Sequence, residues 1–228
     1  MAIVKYNTLV DGLRGKVGGI VASDGRHGPY LRAKVTPYNP QSTAQGIARG
    51  YITTASQAWK ALTDIKRLAW EALAEQVKST NVFGVVASLS GFNVFMKINC
   101  NRALIGQTQL TDAPTFALPT PLTAFAFSDP ADDVLEITFT PTPITAGNHL
   151  VVRATPGVSA GKSFVRSEFR QMKVIAPAAT SPQNFLSAFN TKYGAPVVGK
   201  RVFLEIFPIL AASGLPGPTL SDNKIITG

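Results

Sequence analysis

The sequence predicts an α+β protein in several parts: an N-terminal β-hairpin arm, a small helical region, and a C-terminal Ig- or fibronectin-III-like β-sandwich with an inserted helix. Three observations predict it. The opening is glycine-rich, basic and weakly alternating; apolar residues then recur at helical spacing; and the pattern switches to period two after a Pro/Thr-rich stretch at 111–122. The expected boundaries are 1–38 for the arm, 39–112 for the helices and 113–228 for the sandwich.

The arm comes first. Residues 16–40 read KVGGIVASDGRHGPYLRAKVTPYNP, with Gly12, Gly15, Gly18 and Gly19 crowded just before and into it. Val17, Ile20 and Val21 precede Asp24-Gly25, a strong hairpin signal. Pro29 has no amide to donate, so it fits an edge strand or a strand start. Such a ribbon covers little apolar surface of its own and needs a partner surface to become ordered.

In the helical region, Ser42-Thr43-Ala44-Gln45 matches a capping box. Ile47, Tyr51, Ala55, Trp59 and Leu62 follow as one buried stripe. Thr63-Asp64 starts a second helix running to about Gln76, with Ile65, Leu68, Ala69 and Leu73 expected inward. A loop is expected around 79–83. Ser90 then caps a third helix, with Phe92, Phe95, Met96 and Asn99 on one side. Trp59 and Trp70 belong to these stripes as core residues.

The Pro/Thr-rich stretch reads as a linker. Beyond it the expected strands are 122–127, 134–140, 149–154, 164–175 with a break, 201–209 and 225–227, with Phe125, Phe127 and Phe139 facing the core. Ser181-Pro182 reads as N-cap and N1 of an inserted helix closing at Gly194.

Composition narrows the function. The net charge is +9, and it is uneven: residues 1–112 hold 13 Lys and Arg against 6 Asp and Glu, whereas 113–228 hold 9 against 7. The N-terminal half therefore carries most of any attraction to an acidic partner, be it nucleic acid, an acidic protein face or a membrane surface. Charged residues make up only 15% of the chain, which fits a surface partly covered by other subunits. Cys100 alone permits neither an intrachain disulfide nor a multi-thiolate zinc site, and reads as a small core residue. No apolar run is long enough for a bilayer and no secretory pattern opens the chain, so an intracellular, unanchored protein is expected.

Chemistry-bearing motifs are sparse. His27 sits in a basic turn and His149 at a strand start, neither at metal-ligand spacing. Asp132-Asp133 read as turn residues. Gly157–Lys162 with Ser163 echoes a phosphate loop, but the first glycine is too close to Gly161 and a strand follows instead of a helix. No catalytic residue, cofactor or metal site is expected. Arg14, Lys16, Arg26, Arg32 and Lys34, interleaved with Tyr6, Tyr30 and Tyr38, fit either an arm laid over a neighbouring subunit or a ribbon on a phosphate backbone.

One resemblance adds to this. Gly15–Gly19 (GKVGG), Gly28–Arg32 (GPYLR), Pro37–Gln45 (PYNPQSTAQ), Trp59–Thr63 (WKALT) and Arg67–Trp70 (RLAW) form a pattern that resembles structural proteins of tailed-phage and prophage virions, over the first 110 residues or so. The resemblance implies a virion protein made in the host cytoplasm, whose partners are its own copies and other virion proteins.

The resulting expectation is a non-enzymatic structural component of a bacteriophage particle, capsid-associated or a decoration protein. Many copies would assemble through Arg14, Lys16, Arg26, Tyr30, Arg32 and Lys34. A tail or neck protein is the alternative within a particle. A nucleic-acid-binding protein using the basic arm is one alternative outside that class. A carbohydrate- or receptor-binding module in the sandwich is another, which would need an exposed aromatic platform where Phe125, Phe127 and Phe139 read as core. A membrane partner is not expected.

Overall fold

The computed structural model describes residues 2–3, 13–25, 28–80, 86–131, 134–163 and 165–227. Within them the chain is α+β, with four helices and antiparallel sheets. Its contacts divide it into two units, 1–46 and 47–228. His27, Asp132, Asp133, Phe164 and Tyr6, singled out in the sequence, lie outside the described residues.

The first unit holds a four-stranded sheet. Its strands are β1 (Ala2–Ile3), β2 (Gly15–Val17), β3 (Ile20–Gly25) and β4 (Gly28–Ala33), in the order β1-β4-β3-β2. Gly18 and Gly19 make the two-residue turn between β2 and β3, where Gly18 sits at φ +57°, a region glycine enters without steric cost. Asp24-Gly25 is not the second turn. Both residues are still in β3, paired with Pro29 and Gly28, because pairing runs on to the glycines that bracket 26–27. Pro29 stands at the strand start, as its missing amide requires.

Helix α1 (Thr43–Ala61) begins where the cap signal lies, with the Gln45 amide donating to Ser42 Oγ at 3.4 Å. The reciprocal half of the box is not made: Gln45 Oε1 accepts no hydrogen bond. In the second unit Ala55 and Leu62 of the predicted stripe are buried and Trp59 is half-buried, while Ile47 is exposed.

Helix α2 (Asp64–Ala74) corrects the predicted face. Trp70, Leu73, Ala74 and Val77 point inward, whereas Ile65 and Leu68 are 81% and 69% exposed and Ala69 is exposed too. Both stripes have helical spacing, so periodicity does not separate them. Trp70 decides, because the largest side chain finds an edge-on partner in Phe95, with ring centroids 5.0 Å apart, and a carbonyl for its indole N–H in Thr111, at 3.0 Å.

Of the loop expected at 79–83, residues 79 and 80 lie in β5 (Lys78–Thr80), which pairs with β6 (Val86–Ser88), and the rest falls in 81–85, outside the described residues. Helix α3 (Gly91–Leu104) starts at Ser90, whose Oγ accepts the Asn93 amide at 3.3 Å. Gly91 is in close approach to α2: its amide donates to Glu71 Oε2, and a Cβ there would lie 2.8 Å from the Glu71 backbone nitrogen. Val94, Phe95 and Ile98 are fully buried among α1 and α2, and Phe92 stays at the rim of that cluster.

The expected linker is bound along its length. Asn99 brackets Leu110 through both its amide groups, Lys66 pairs with Asp112 at 3.0 Å, and Ser213 Oγ donates to the Ala117 carbonyl at 2.6 Å. The segment is a strap: backbone groups of Thr108, Leu110, Thr111 and Ala117 are each bonded to a side chain of the packed body.

Seven strands follow. β7 (Ala124–Ala131), β8 (Val134–Thr140) and β11 (Gln183–Asn184) form one sheet in the order β11-β8-β7. β9 (Asn148–Ala154), β10 (Arg170–Ile175), β12 (Arg201–Leu210) and β13 (Leu220–Ile225) form another, in the order β10-β9-β12-β13. Leu135, Ile137 and Phe139 of the first sheet share one core with Val152, Leu204 and Ile206 of the second, and Phe127 joins them. Helix α4 (Leu186–Tyr193) adds Phe189 to that core, just after Phe185.

Several boundaries are corrected here. The inserted helix starts at Leu186, not after Ser181, because Gln183 and Asn184 pair with β8 and Ser181 Oγ is taken by the Phe139 amide. β10 begins only at Arg170, after a turn at 166–168. The last strand lies at 220–225, where it pairs with β12 from Arg201 to Ile206.

Helix α3 also joins this part. Ile105 packs on Val151, Phe207 and Ile209, on the outer face of the four-stranded sheet. The buried Arg102 donates to the carbonyls of Thr108, at 2.7 Å, and Ala211.

Candidate functional site

Two surfaces gather chemistry. The first is the N-terminal sheet, on which the sequence placed its assembly residues. Cross-strand partners share a face and neighbours along a strand do not. Lys16, Val21 and Arg32 stand in one row across β2, β3 and β4, and Ser23 and Tyr30 form the next row on the same face. The opposite face carries the rows Val17–Ile20–Ala33 and Gly15–Ala22–Leu31. One face is thus basic with a tyrosine, and the other is apolar except for Asp24, in the row with Pro29 at the end of β3.

Little of the apolar face is covered within the unit. Ala22 is the one buried hydrophobic residue among the described residues 13–46, while Val17 is 53% and Ile20 45% exposed. The remaining predicted residues are placed differently. Arg14 makes an exposed ion pair with Asp24 at 3.2 Å, a contact worth well under about 1 kcal/mol in water. Lys34 follows β4 and its amide donates to the Gly19 carbonyl. Arg26 lies outside the described residues. The structure therefore brings Lys16, Tyr30 and Arg32 together on one face, while Arg14 lies just before β2 and Lys34 just after β4.

The second surface was not foreseen. Where α3 leaves the four-stranded sheet uncovered, the outer face forms a cleft of about 720 Å³. Its floor is set by register: Arg153, Glu205 and Ser221 stand opposite one another on β9, β12 and β13, and Phe203 faces Asn223 in the adjoining row. Ser163, Arg166 and Phe169 supply a wall from the segment before β10. The Arg153 guanidinium lies 4.8 Å from the centre of the Phe207 ring, which fixes its stem against the sheet. The available signal was the run of non-aliphatic outward positions on β12 and β13, but their convergence depends on register.

The remaining candidates are quiet. The phosphate-loop echo folds as a bridge at Val158 and a turn, with Lys162 paired to Glu168. Among the described residues, no group of three or more His, Cys, Asp and Glu is placed to hold a metal ion. No helix among them is long and apolar enough to cross a membrane. Cys100 is half-buried, and burial pushes its thiol above the ordinary range, away from the reactive thiolate.

His149 is buried, and its pKa lies below the usual 6.5, burial being the larger cause and a hydrogen bond with the Gly147 backbone opposing it. The unfolded chain then binds the proton more tightly than the native one. Stability is retained above that usual value and declines as pH falls below it. Urea unfolding at pH 7.5 and 5.0 checks this: the drop seen in the parent protein shrinks in His149→Gln.

No protein-family model matches this chain, and no curated protein matches it either.

Proposed function

We propose that this protein is a non-enzymatic structural subunit of a bacteriophage particle, assembling in many copies through its N-terminal sheet. The observation that carries the proposal is the two-faced character of that sheet. A four-stranded sheet with Val17 and Ile20 open on one side and Lys16 and Arg32 on the other leaves its stabilising burial to a partner. Burying the exposed halves of those two side chains at an interface contributes about 1.5–3 kcal/mol per copy, and multivalency in a particle amplifies it.

The second half suits projection from such an assembly as an Ig- or fibronectin-III-like sandwich with an inserted helix. The strand order supports this reading. Lettered in chain order A, B, C, C′, E, F and G, strands β7 to β13 put A, B and E in one sheet and C′, C, F and G in the other. Such a module favours a capsid-associated or decoration role; a tail or neck protein uses the same parts.

Removing residues 1–38 tests the proposal. The remaining chain keeps its far-ultraviolet circular dichroism and its unfolding transition, because the buried clusters all lie beyond residue 46. Incorporation into particles is lost. Normal incorporation of the folded, shortened protein overturns the assembly role.

The basic face with Tyr30 also favours a second reading, contact with a nucleic-acid backbone. Duplex binding by the intact protein that weakens steeply between 50 and 200 mM salt, roughly the range over which counterion release acts, supports it.

A further inference from the structure

We propose that the cleft on the outer face of β9, β12 and β13 binds an acidic saccharide of about two sugar units. This does not rest on the assembly role, since the cleft and the N-terminal sheet belong to different units. At about 720 Å³ the cleft has the size of a small-molecule site and is open along its top.

Its chemistry is mixed in the way a charged sugar needs. Arg153 and Arg166 place two guanidinium groups on the floor and wall, where each can take a carboxylate through paired N–H donors. Phe203 and Phe169 are half-buried at the same surface, and offer apolar ring area to the C–H face of a pyranose. Between them Ser221, Asn223 and Thr219 are exposed and can donate to or accept from hydroxyls. Glu205, half-buried in the row with Arg153, accepts from hydroxyl groups and repels a dianionic phosphate.

A peptide fits less well. The cleft spans β9, β12 and the edge strand β13; the backbone of β12 is committed to its ladders with β9 and β13, and the other side of β13 packs against β7, whose Phe127 amide donates to Asp222. No free strand edge is offered there for β-augmentation. Asp222 is committed as well, because its carboxylate accepts the amides of Phe127 and Asn223. Arg153, Arg166 and Glu205 are thus left as the charges that face a ligand, two positive against one negative.

The test uses the full-length protein, ¹⁵N-labelled and titrated separately with digalacturonate, a hyaluronan tetrasaccharide and sialyllactose. At least one probe shifts amides within 203–205 and 219–223 and binds at ~1 mM or tighter. Maltose, which lacks the carboxylate, binds at least ~10-fold more weakly. Arg166→Ala, at an exposed position where folding is unaffected, weakens the acidic probe ~10-fold, the loss expected for a charge-assisted hydrogen bond. Asn223→Ala weakens it less. The proposal is overturned if none of the three acidic probes shifts these amides at ~10 mM. It is equally overturned if maltose, AMP or triglutamate binds as tightly, or if Arg166→Ala binds like the parent protein.

Discussion

Trp70→Ala lowers the stability of the second unit by about 4–5 kcal/mol, the loss expected for removing a fully buried indole and leaving a cavity. Three interactions disappear together. The edge-on contact with Phe95 is lost, the Thr111 carbonyl loses its donor, and the cluster of α1, α2 and α3 loses its largest side chain. Helix α3 in turn packs through Ile105 on the four-stranded sheet, so loosening the helices is felt by the strands. A single domain has a net stability of only about 5–15 kcal/mol, which makes this one change able to unfold a large fraction of the molecules near 37 °C. Equilibrium urea unfolding followed by circular dichroism measures it. A shift worth less than about 1 kcal/mol removes Trp70 from its central place in the packing.

Gly214→Ala is expected to cost about 3 kcal/mol or more, from two sources that act at the same atom. The residue holds φ +65°, which disfavours any Cβ, and the added methyl group would lie 2.8 Å from both the Ile98 Cγ2 and the Ile98 carbonyl oxygen. Its own carbonyl accepts from the Asn101 side chain at 3.0 Å, so the loop after β12 cannot shift without breaking its tie to α3. Gly50→Ala is the control. It sits in α1 with nothing within 4 Å of a built Cβ and no left-handed backbone, and helix propensity favours the alanine by up to about 1 kcal/mol. Thermal unfolding of the two variants therefore moves in opposite directions. Similar transitions for both would mean that α3 and the β12–β13 connection are not held in close contact.

Residues whose structure is set within a few neighbours were legible. Ser42 and Ser90 accept the amides their positions anticipate, and β8 spans 134–140 as its alternation required. Gly194 ends α4 as expected. Position 181 shows the limit of the same reasoning. Ser-Pro is a sound helix opening in isolation, yet the Phe139 amide, 42 residues away in sequence, takes the serine hydroxyl. The two strand residues after it then belong to a sheet and the helix waits until 186.

The candidate sites divide in the same way. Lys16, Tyr30 and Arg32 were singled out together with Arg14, Arg26 and Lys34 because basic residues crowd one short ribbon, and the registers of β2, β3 and β4 decided that those three share a face. The cleft was not found, since Arg153, Glu205 and Ser221 are neighbours only through the registers of β9, β12 and β13.

By itself the sequence determined the order of a glycine-rich β segment, three helices and a set of strands, the caps of α1 and α3, and that the basic residues crowd towards the N-terminus, because caps and side-chain periodicity act over a few residues. Only the tertiary structure decided which of two apolar stripes on α2 is buried, that the segment 107–122 is a strap, and that a cleft opens on the outer sheet face. Those outcomes depend on which distant group offers an aromatic edge, a carbonyl or a strand in register, and no local pattern contains that information.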